Sequence, residues 1–88
     1  MIPEDVRKSE MLNAQKKMLR LKAEVKKKGA HEKFQTGDFE GAKLDLMDAR
    51  HLIHEALQKV RALGERGLGE RTIQDDIEAL WRKILAKE

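Results

Sequence analysis

Eight apolar positions, Phe39, Ala42, Leu46, Ala49, Ile53, Ala56, Val60 and Leu63, follow one another in steps that alternate three and four. That spacing places all eight on one stripe of a single helix. Every second member from Ala42 to Ala56 is alanine, and a small residue at each seventh position lets a neighbouring helix approach towards the near end of the usual ~8–10 Å range. A second stripe, Met11, Ala14, Met18, Leu21 and Val25, has the same three-and-four steps and predicts the seam of a first helix. It stops where Lys28 and Gly29 follow. Ala30 and Phe34 then resume out of phase, so the segment is read as one helix kinked near Gly29, in preference to two helical pieces. A third helical pattern runs through Ile73, Ile77, Leu80, Trp81, Ile84 and Leu85.

Local signals divide these patterns. Pro3 fits the first turn of a helix, and Glu4 and Asp5 suit the positive end of its dipole. Gly37-Asp38 marks a turn, with Asp38 placed to cap a helix opening at Phe39. Gly64 stands as the C-terminal stop of that helix, and Gly64, Gly67 and Gly69 together read as a flexible connection. Thr72 with Asp75 resembles a capping box, which opens the third helix at about residue 73. The expectation is one helical domain over 1–88, with helices at about 3–35, 39–63 and 73–87. Short connections make successive helices antiparallel, so the fold class is all-α: an antiparallel three-helix bundle, or a long helical hairpin with a shorter third helix.

The segment Gly37-Asp38-Phe39-Glu40-x-Ala42-x-x-x-Leu46-x-x-Ala49 resembles a tetratricopeptide-type helical hairpin. In that family a glycine-acid-aromatic turn joins two helices, and alanines on the second allow close packing. Over roughly residues 20–85 the chain is also similar to three-helix domains of the microtubule-interacting-and-trafficking type. The resemblance implies a scaffold that binds a partner helix or peptide in a groove, without chemistry of its own. The chain holds one such unit rather than the repeated array of a solenoid.

Composition changes this picture little. Eighty-eight residues without cysteine form one small core with no disulfide or thiolate metal site. No apolar run nears the ~20 residues that span a bilayer, and the N-terminus lacks the order of a signal peptide, so a soluble, cytoplasmic protein is the default expectation. The formal charge of +3 is uneven: residues 1–36 carry ten Lys/Arg against five Asp/Glu. Lys16, Lys17, Arg20, Lys26, Lys27 and Lys28 form the basic part of the first helix. Lys16, Arg20 and Lys27 are expected to share an outward face, either as a solvated surface or as a footprint for an acidic protein, a nucleic-acid backbone or an anionic membrane. Sequence-specific recognition is not expected, because exposed aromatics and zinc-finger or helix-turn-helix spacings are missing.

Candidate chemistry is sparse. With no cysteine or tyrosine, a single serine at Ser9 and no phosphate loop, an enzyme is not expected, nor a cofactor. Asp48-x-x-His51-x-x-His54-Glu55 puts two histidines on one helix face without a third nitrogen ligand close in sequence, so no metal site is assigned. Leu44, Met47, His51 and His54 form a second, narrower stripe on the far side from the alanines. The third helix covers it, a partner does, or the residues are merely scattered; in the partner case the histidines would make binding sensitive between about pH 6 and 7. Trp81 is read as core, or else as an interface anchor. Alanine-rich seams bury little area per turn, and Leu44, Met47, Leu52 and Leu57 lie off the main stripe. Both facts favour a protein partner, either a different chain or a homodimer through helix one or helix two.

Overall fold

The computed structural model describes residues 3–88, which form three α-helices: α1 (Glu4–Gln35), α2 (Phe39–Ala62) and α3 (Leu68–Lys87). Among the described residues there is no strand. Pro3 stands immediately before α1, and its carbonyl accepts the Val6 and Arg7 N–H groups. Both inter-helix turns have the same construction. Asp38 N–H donates to Lys33 O while Gly37 N–H donates to Phe34 O; Glu65 N–H donates to Val60 O while Gly64 N–H donates to Arg61 O. Each is a Schellman closure with glycine in the left-handed position after the helix. Asp38 then caps α2, its carboxylate accepting the Gly41 N–H at 3.0 Å.

The third helix begins at Leu68, five residues before the position expected from Thr72 and Asp75. No capping box forms there: the Thr72 hydroxyl donates to Leu68 O from within the helix. The reversal is completed by Gly67, which adopts φ 65° beneath Val60 and Leu57. A Cβ at this position would lie 2.7 Å from Val60 Cγ1, so steric strain and left-handed backbone cost act together. Gly67→Ala is expected to destabilise the fold by about 1–3 kcal/mol, measured by urea denaturation followed by circular dichroism.

The alanine stripe of α2 is buried as its spacing predicts. Ala42, Leu46, Ala49, Ile53 and Ala56 are fully inaccessible, and they meet Ala23 and Ala30 of α1 and Ile73, Ile77, Leu80 and Ile84 of α3 in one core. The first helix departs from expectation. Its buried face carries Leu19, Ala23, Ala30 and Phe34, whereas Met11, Ala14, Met18, Leu21 and Val25 point to solvent. Ala30 and Phe34 are therefore in phase with the true seam, and α1 runs as one continuous helix through Gly29. The long hairpin α1–α2 dominates the architecture, and α3 packs mainly on α2.

Ion pairs fix the register along the edges of this core. Lys33–Asp45 (2.8 Å) and Lys26–Asp48 (3.4 Å) bind α1 to α2. Lys27–Asp76 (3.2 Å) and Arg20–Glu70 (3.9 Å) bind α1 to α3, and Glu70 is buried. The Asp45 hydrogen bond holds the Lys33 ammonium above the ordinary lysine value, against a smaller opposing effect of desolvation. Lys43 is raised likewise, first by Glu88 and then by Glu40. Trp81 sits half-buried at the margin rather than within the core. The Arg50 guanidinium lies 4.7 Å above its ring and binds Glu78 through two nitrogens, at 2.8 and 2.9 Å. That arrangement gives Trp81 both a packed side and a cation–π partner.

Candidate helix-docking face

Because α1 is apolar on two opposite faces, packing one of them against α2 and α3 leaves the other uncovered. On the uncovered face Met11, Met18, Leu21 and Val25 are 58, 59, 57 and 70% exposed, with Ala14 also exposed between them. Single exposed apolar residues are ordinary; five on one stripe at coiled-coil spacing are not. Leu52 of α2 extends the stripe sideways, where it joins Leu21, Lys22, Val25 and Lys26 around a shallow groove of about 300 Å³. The start of α1 adds a second unusual feature. Every residue from Glu4 to Met11 is exposed, and Lys16 already reaches Glu65 beyond the end of α2 at 2.8 Å. Two turns of helix, roughly 12 Å long, thus project past the hairpin.

Leu44, Met47, His51 and His54 lie together on the outer face of α2. None is covered by the third helix: Leu44 is 62% and Met47 54% exposed. His51 Nε2 lies 2.6 Å from Glu55 Oε1, one turn along the same helix, and His54 lies near Gln58. No group of three or more potential metal ligands occurs among the described residues. Leu57, unlike Leu44, is partly covered by the Gly67 turn.

The six residues singled out as the basic part of α1, Lys16, Lys17, Arg20, Lys26, Lys27 and Lys28, do not form one surface. Lys16, Arg20 and Lys27, expected to point outward together, face α3 and the turn before it, where Glu65, Glu70 and Asp76 receive them. Lys26 turns to the opposite side and pairs with Asp48. These lysines turn inward for the same reason as the seam, since rotating α1 by half a turn carries them to the core edge with their aliphatic stems against it. Lys17 and Lys28 remain exposed and make no ion pair within 4.0 Å among the described residues; Lys17 flanks the methionine stripe and Lys28 stands at its next position. Periodicity counted over apolar residues alone missed the packed face because Lys16 and Lys27 interrupt it. The spacing of Leu12, Leu19, Ala23, Ala30 and Phe34 was the available signal.

No protein-family model matches the chain, and no curated protein or solved structure shows significant similarity to it. Among the described residues no helix is long and apolar enough to cross a membrane.

Proposed function

We propose that this protein is a small helical interaction module that binds another helix along the outer face of α1 and does no chemistry itself. The observation that carries this reading is the exposed heptad stripe from Met11 to Val25, set on the back of a helix whose front is already packed. Heptad spacing of large apolar side chains is the pattern that a second helix fills with knobs-into-holes packing. Methionine at two of the five positions suits a surface that adapts to its partner. The inward ion pairs of Lys16, Arg20, Lys26 and Lys27 break up the basic face expected on α1, and the exposed stripe itself is apolar, which favours a protein partner over nucleic acid.

The test is a photo-crosslinking residue in place of Ala14, used in the native host, with and without Leu21→Glu and Val25→Glu. Adducts at defined masses, lost in the double glutamate variant, are the expected result. The variant should keep its helical circular dichroism and lose no more than about 0.5 kcal/mol of stability, since both side chains are exposed. Adducts no stronger than those from the same residue at exposed Arg82 would refute the reading.

A further inference from the structure

We infer that the helix docking on this face is α1 of a second copy of the same chain, running antiparallel, with the two-fold axis passing between Leu19 and Arg20. This rests on the reading above and specifies its partner. The assignment follows from the charges around the stripe. Taking Met11, Met18 and Val25 as a positions and Ala14, Leu21 and Lys28 as d positions, an antiparallel pair stacks a against d across the interface. The central layers then join Met18 with Leu21 of the other copy and Val25 with Ala14 of the other copy, and symmetry repeats each. The flanking g positions bring Lys17 to Glu24 of the second copy, and Glu10 to His31. At the ends, Arg7 meets Glu32. Lys28 falls over Met11 of the second copy, where its long stem can lie on the methionine with the ammonium in solvent, and none of these contacts sets like charges together.

A parallel pair does the reverse. It stacks Arg7 on Arg7, Lys28 on Lys28 and Glu32 on Glu32, and its flanking contact sets Lys17 beside Lys22 of the other chain. Like charges at these positions oppose association. Lys17, Lys22, Lys28 and Glu10 are all exposed, and none has an ion-pair partner within 4.0 Å in the single chain among the described residues. The projecting start of α1 supplies the independent argument. Two turns of unsupported helix are marginal in water, and the antiparallel register lays residues 4–11 along residues 28–35 of the second copy, so that each overhang gains a neighbour. The groove beside Leu52 lies on the e side of the stripe, where Gln15 and Lys22 of the two copies face one another without like-charge conflict.

Sedimentation equilibrium on the full chain, at concentrations up to a few hundred micromolar, reads the state directly. A mass approaching twice 10.2 kDa is expected, and one that stays at 10.2 kDa overturns the proposal. Orientation is tested by charge. Lys17→Glu should weaken the dimer roughly tenfold, because both Lys17–Glu24 contacts become repulsive, and adding Glu24→Lys should restore it. A parallel dimer would instead be tightened by Lys17→Glu, through Lys22, and that result overturns the antiparallel register. The native absence of cysteine permits a second check: a mixture of Ala14→Cys and Val25→Cys chains should oxidise chiefly to the mixed disulfide, whereas predominance of the Ala14→Cys homodisulfide counts against the proposal. A monomer that still yields Leu21-dependent adducts to another protein would end self-association while preserving the interaction module; a monomer without adducts would end both.

Discussion

Ile53→Ala is expected to lower stability by about 2–5 kcal/mol, the range for removing a large side chain from a core that cannot collapse around the loss. Ile53 is fully buried midway along α2 and shares one core with Ala23 of α1 and Ile77 of α3. Its deletion thus opens a void at the junction of all three helices. In a chain of this length each 1 kcal/mol moves the melting temperature by roughly 4–8 °C, so a fall of about 10 °C or more is predicted. Since whole domains are stable by only ~5–15 kcal/mol, the variant should populate unfolded chains at physiological temperature. Thermal melts followed at 222 nm provide the measurement. Leu44→Ala, on the exposed side of the same helix, serves as the reference and should change stability by no more than about 0.5 kcal/mol. Equal effects of the two substitutions would contradict the orientation of α2 described above.

The second large effect is expected from an added side chain. Ala49→Leu introduces three carbons where α2 carries a fully buried alanine in the core shared with Ala23 and Ala30. Ala49 has no exposed surface to expand into, so the helices must separate or the new side chain must leave its preferred rotamer, at a cost of about 1–3 kcal/mol. Separation would also stretch Lys26–Asp48 and Lys33–Asp45, which hold the same pair of helices at 3.4 and 2.8 Å. Ala79→Leu, on an exposed part of α3, adds the same group without crowding and should be nearly neutral. Urea denaturation of both variants decides the matter: a neutral Ala49→Leu would mean that α1 and α2 are farther apart than the structure places them.

Helix positions were legible because their determinants are local. The Gly37-Asp38 turn, the Gly64 stop and the three-and-four spacing from Phe39 to Leu63 each act within a few residues, and α2 forms within one residue of the expected range. The start of α3 was less legible. Thr72 and Asp75 carry a capping pattern that the chain does not use, because Gly67 reverses direction against Val60 and lets the helix begin at Leu68. A pattern read over four residues contains no information about a side chain twelve residues back that blocks or permits the turn.

The candidate site shows the limit more sharply. Both stripes of α1 are apolar, and both have helical spacing; in sequence the Met11–Val25 stripe is the more regular. Sequence alone determined that this chain is all-α, that α2 presents an alanine seam, and that apolar surface exceeds what one short helix covers. Only the tertiary structure decided which face of α1 is buried. Ala23 and Ala30 allow close approach to the alanines of α2 where the bulkier methionines, leucine and valine would hold the helices apart, and the inward rotation also brings Lys16, Arg20, Lys26, Lys27 and Lys33 to carboxylates on the neighbouring segments. Burial follows shape complementarity and charge pairing between segments distant in sequence, and that is why the most regular apolar stripe of the first helix ended on the surface.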